Sequence, residues 1–83
     1  MKIEEIVSGM EVIVPGMELG RSTKLFDKNK YGYNRDTRGM VKKVNLRGVH
    51  VETPCEPYDG LTLKPLSKRV LIYDPEQLRN SKN

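Results

Sequence analysis

Eighty-three residues suffice for one domain and leave no room for a second core, and a chain this short buries only about 60–65% of the surface it exposes when unfolded. A deep substrate cleft is therefore not expected. Fifteen Lys and Arg against eleven Asp and Glu give +4, with 36% hydrophobic and 31% charged residues, the balance of a soluble globular domain rather than of a disordered or membrane-embedded chain. No apolar run approaches the ~18 residues of a membrane span, and Met1-Lys2-Ile3-Glu4-Glu5 lacks the apolar middle of a secretory signal, so a cytoplasmic location is expected. The single cysteine, Cys55, has no internal disulfide partner, which suits a reducing compartment.

In chain order, residues 3–7 suit a single helical turn and an extended lead-in equally. Met10-Glu11-Val12-Ile13-Val14 then puts Met10, Val12 and Val14 on one face at period two, between Gly9 and Pro15-Gly16, and predicts a first strand. After a long loop, Met40, Val41, Val44 and Leu46 with Lys42 and Lys43 between them predict a second strand, and Val49-His50-Val51-Glu52 a third. Arg47-Gly48 joins these two as an antiparallel hairpin that turns His50 and Glu52 away from the core. Pro54, Pro57 and a turn at Tyr58-Asp59-Gly60 separate the hairpin from a short edge strand, Leu61-Thr62-Leu63, stopped by Pro65. Lys68-Arg69 reads as a solvated turn ahead of a last strand, Val70-Leu71-Ile72-Tyr73. Asp74 as N-cap, Pro75 at the first position and Glu76 at the positive end predict a helical turn, with Leu78 folding back onto the core. The domain is expected to span residues 1–79, with 80–83 a frayed tail.

Five short antiparallel strands, a long insertion between the first two and a helical turn near the last predict an all-β fold, a small antiparallel barrel. The succession Gly9-Met10-Glu11-Val12-Ile13-Val14, a long loop, Gly39-Met40-Val41-Lys42-Lys43-Val44, Val49-His50-Val51 and Tyr73-Asp74-Pro75-Glu76-Gln77-Leu78 resembles the Src-homology-3-like small barrels of the kind found in phages and mobile elements. The resemblance covers residues 9–78 and implies a five-stranded barrel. This chain has no Trp and its long loop is basic rather than acidic, so the proline-rich ligands of the signalling members are not carried over.

The charge is local. Residues 20–39 hold Arg21, Lys24, Lys28, Lys30, Arg35 and Arg38 against Asp27 and Asp36, which is the whole formal excess of +4. Phe26, Tyr31 and Tyr33, three of the five aromatics, lie in the same stretch. A loop of this length without regular structure is usually functional or disordered. Its cations would contact the phosphates of a polyanion, nucleic acid above all, and Tyr31, Tyr33 and Phe26 would stack on unpaired bases. The same residues also fit a small adaptor or inhibitor docking on an acidic protein partner, because Tyr and Arg anchor interfaces. A third reading has Phe26 and one tyrosine covering an open barrel end while the charges merely face solvent. Lys42, Lys43 and Arg47, which caps the hairpin, extend the basic face, or the two lysines serve at a strand edge to discourage sheet association. Met10 and Met40 are expected in the core, and an exposed Met17 would mark an interface.

No catalytic constellation is read. His50 and Cys55 lie five apart across a strand end, with no third member to orient them, and neither a CxxC nor an HxxxH spacing supplies metal ligands. The scattered aspartates do not make a calcium loop and the seven glycines mark turns rather than a phosphate cradle, so no cofactor and no enzymatic activity are expected.

Overall fold

The computed structural model describes the backbone of residues 1–58 and 65–81 and the side chains of 1–54 and 67–81. The expected strand at 61–63, most of the turn before it and the last two residues of the expected tail lie outside the described residues. The strands are β1 (Glu11–Val14), β2 (Leu19–Ser22), β3 (Lys30–Gly32), β4 (Thr37–Asn45), β5 (Gly48–Tyr58), β6 (Pro65–Tyr73) and β7 (Arg79–Asn80). They form one antiparallel sheet in the order β3-β2-β6-β5-β4-β1-β7. The all-β class is as expected, but the sheet is open rather than a closed barrel, and the described residues form seven strands where five were predicted. No helix among the described residues is long and apolar enough to cross a membrane.

The extra strands lie mostly inside the stretch read as an irregular loop. β2 pairs with β6 through Arg21↔Ile72 and Ser22↔Leu71, and β3 folds back on β2. An apolar alternation does not reveal β2, because its inward residues are Gly20 and Ser22. Gly20 is required there: a Cβ would lie 2.6 Å from the Tyr73 ring and 2.9 Å from Leu71. The turn leading into β2 is tight, with the Glu18 N–H donating to the Pro15 carbonyl at 3.2 Å and Met17 at φ 72, a left-handed conformation uncommon for a side-chain-bearing residue.

The predicted hairpin forms between β4 and β5, with Asn45↔Gly48 closing a two-residue turn. Gly48 sits at φ +134, and a Cβ there would lie 2.7 Å from the Tyr73 carbonyl. A register shift between Val41 and Lys43 turns Val41 and Val51 inward while Lys43 and His50 point outward. Lys68 and Arg69 belong to β6 rather than to a turn, since that strand begins earlier than its apolar run. Cys55 lies within β5, so no strand end separates it from His50.

The core is a Val-rich layer of Val12, Val14, Val41, Val49, Val51, Leu71 and Tyr73, closed by Ile6 and Leu78. Ile3–Glu5 is a single 3₁₀ turn, which delivers Ile6 to that layer. Pro75–Gln77 is the expected helical turn with Asp74 at its N-cap position, and the Asp74 N–H donates to Gln77 Oε1 at 2.8 Å. The Gln77 amide also donates to Glu18 Oε2 at 2.8 Å and to the Leu19 carbonyl at 3.2 Å, tying this turn to the start of β2. Met10 packs against the core as expected, but Met40 is 48% exposed because it shares the outer face with Glu11 and Glu52. β7 carries the sheet through Asn80 by pairing it with Val12.

Candidate functional site

Residues directly opposite one another in an antiparallel ladder point to the same face. Through four successive pairings, Lys30 of β3, Arg21 of β2, Ile72 of β6, His50 of β5 and Lys43 of β4 fall on one line across the sheet. This line faces away from the core, where the neighbouring residues Tyr31, Gly20, Tyr73 and Val49 point inward. It spans four strand spacings, about 19 Å. Arg47, in the β4–β5 turn, lies off this line at the hairpin tip, where its carbonyl meets the Arg21 guanidinium and its charge acts on His50.

Arg21 is held in place. Its guanidinium donates a short hydrogen bond to the Arg47 carbonyl and lies 3.9 Å from the Asp74 carboxylate, so the side chain runs past Ile72 to the hairpin turn. Among the described residues, no ion pair involves Lys24, Lys28, Lys30, Lys43 or Arg47. Other cations are engaged elsewhere. Lys42 and Lys68 flank Glu52 at 4.0 and 3.7 Å, which removes Lys42 from the role of an edge lysine, as does the interior position of β4.

The site residues expected from sequence separate into two groups. Arg21 and Lys30 join the cationic line, and Lys24 and Lys28 occupy the β2–β3 connection that leads to it. Arg35 lies against Gly16, and Arg38 pairs with Glu11 at 3.5 Å, five residues along β4 from Lys43. Beside them, Asp36 accepts from the Gly16 N–H at 2.8 Å and pairs with Arg79, contacts that hold its carboxyl below the usual range. Lys43 and Arg47, which the composition of residues 20–39 does not include, take the places nearest His50.

Tyr31 and Tyr33 are engaged rather than presented. Tyr31 packs on the core under the Arg69 guanidinium, 4.9 Å from its ring centre, and its hydroxyl donates to Asp27 at 3.4 Å. The Tyr33 hydroxyl bonds that of Thr53 at 2.5 Å. Phe26 is the free ring, 91% exposed and next to Leu25 at 78%, so it does not cover the end of the fold. Asp27 anchors this connection: its carboxylate accepts from the Asn29 N–H at 2.9 Å, which together with Ser22 and Tyr31 lowers its pKa.

His50 departs from expectation. It points away from the core layer as predicted, yet it is only 5% exposed, with Ile72 and Lys43 beside it on that face. Its Nε2 is buried without a hydrogen-bond partner. Burial first, then the charges of Lys43, Arg47 and Arg21, hold its pKa below the ordinary 6.5. The folded chain therefore takes up this proton less readily than the unfolded chain, so stability is retained above about pH 6.5 and falls as pH drops below it. Denaturation midpoints of the wild type should decline in that window, and those of His50→Gln should not. A common decline of both at lower pH, as Asp27 and Asp36 protonate, is expected and separable.

Among the described residues, no three of His, Cys, Asp and Glu gather closely enough to hold a metal ion. Comparison with protein-family models, with curated proteins and with solved structures finds no match to this chain.

Proposed function

We propose that this protein is a non-enzymatic binding module that takes a polyanion, single-stranded nucleic acid, on the outer face of its sheet. Lys30, Arg21, Lys43 and Arg47 contact phosphates, Lys24 and Lys28 extend the contact along the β2–β3 connection, and Phe26 offers a base-stacking surface. One observation carries this reading: cations from three separate strands fall on a single register line, and Lys30, Lys43 and Arg47 have no carboxylate paired to them among the described residues. Charges placed in this way attract by releasing a polyanion's counterions, and the attraction carries no base specificity. The likeness to Src-homology-3-type small folds belongs to the same proposal. Its support is the order of first strand, long excursion, hairpin, last long strand and 3₁₀ turn, and closure into a barrel is no part of it.

Fluorescence anisotropy with labelled oligothymidylate tests the reading. Six contacts predict that log K falls with log salt at a slope of about −4. Absence of binding at about 50 mM salt would end the proposal. The alternative of docking on an acidic protein draws on Leu25 and Phe26, an exposed apolar pair between Lys24 and Lys28. It predicts capture of one protein that survives nuclease treatment and is lost in Phe26→Ala.

A further inference from the structure

Building on the polyanion reading, we propose that His50 floors a phosphate-group subsite bounded by Arg21, Lys43 and Arg47, and that filling the subsite places a proton on His50. The geometry is unusual for a histidine on the outer face of a sheet. The residue is 95% shielded, and Nε2 has neither solvent nor a hydrogen-bond partner. Such a group is normally satisfied, because a buried polar atom left unpaired forfeits the hydrogen bonds it makes in water.

The surroundings specify the chemistry of the missing partner. From β4 comes Lys43, from the hairpin turn Arg47, and from β2 Arg21. β6 contributes the apolar Ile72, and just beyond that strand Asp74 is turned to Arg21. On β5 itself, Glu52 is on the same face but is taken up by Lys42 and Lys68. A neutral imidazole thus stands among three cations with no acceptor of its own. A phosphate group brings both things lacking here: oxygens that accept from imidazole N–H, and negative charge that offsets the cations opposing the imidazolium.

Proton and phosphate then favour each other. A group whose pKa is higher in the complex than in the free protein tightens binding as pH falls through the interval between the two values, by at most about tenfold per pH unit. A phosphodiester does not titrate there, so with an oligonucleotide the effect reports the protein alone. The source of the phosphate, a nucleic-acid strand or a free polyphosphate, is separated by the choice of probe.

His50 is the chain's only histidine, so its ring C–H resonances in a proton NMR titration need no assignment. The pKa of His50 is to be measured free, with inorganic tripolyphosphate and with oligothymidylate. A rise of about one unit or more with both probes is expected. The rise should vanish in Lys43→Gln/Arg47→Gln, which leaves His50 in place, and the affinity of His50→Gln for oligothymidylate should be flat between about pH 5.5 and 7.5. A rise with tripolyphosphate alone, where oligothymidylate does not bind, keeps the subsite and removes the nucleic-acid reading. Saturable binding of either probe that leaves the His50 pKa unmoved, or no binding of either at low salt, overturns the subsite.

Discussion

Tyr73→Ala is expected to lose about 3–5 kcal/mol of stability, whereas Tyr73→Phe should lose nothing and gain up to about 1 kcal/mol. Tyr73 is the largest fully buried side chain among the described residues, and its ring lies over the inward face of Gly20, beside the Leu71 side chain. A chain of this length has about 4–12 kcal/mol in total, so the alanine variant would sit at or near the edge of folding. The hydroxyl is a different matter. It is buried without a partner, and burial with the neighbouring Tyr33 pushes its pKa up to about 12. Removing it discards an unsatisfied polar atom and keeps the ring. Urea denaturation of the two variants decides the point: a phenylalanine as damaging as the alanine would mean that the hydroxyl, rather than the ring, holds β6 against β2.

Neutralising Lys30, Lys43 and Arg47 together should weaken oligothymidylate binding by on the order of 10²–10³-fold at about 50 mM salt, and flatten the salt slope by about 2. Arg35→Gln/Arg38→Gln/Arg79→Gln alters net charge by the same amount. Its positions lie off the line, with Arg38 and Arg79 already paired to Glu11 and Asp36. If position governs binding, the second triple keeps most of the affinity. Equal losses from both triples would mean that overall charge, and not this face, draws the ligand. The comparison holds the change in formal charge fixed, while the two sets differ in location and in whether a carboxylate already pairs with them.

The hairpin and the capped turn were legible because each is a local device. Val49-His50-Val51-Glu52 alternates within its own four residues, Gly48 supplies the positive φ, and Asp74-Pro75 prepares a helical start from adjacent positions. β2 and β3 were not legible, because Gly20 is selected by contact with Tyr73, fifty-three residues away in sequence, and not by any pattern in its own segment. The basic face was half legible. Arg21 and Lys30 stand out in a charge count over residues 20–39, but Lys43 reaches the same line only through the register shift after Val41. The burial of His50 was not legible either, because its neighbours on that face, Ile72 and Lys43, come from other strands.

The lengths of the strands bear on how the molecule behaves in crowded solution. The three long strands, β4, β5 and β6, occupy the interior of the sheet, while the margins are β3, three residues with Lys30 at one end, and β7, two residues beginning at Arg79. A margin so brief and so charged is a poor template for a neighbour's backbone. Edges of this kind give copies of the chain little purchase for stacking edge to edge into fibres.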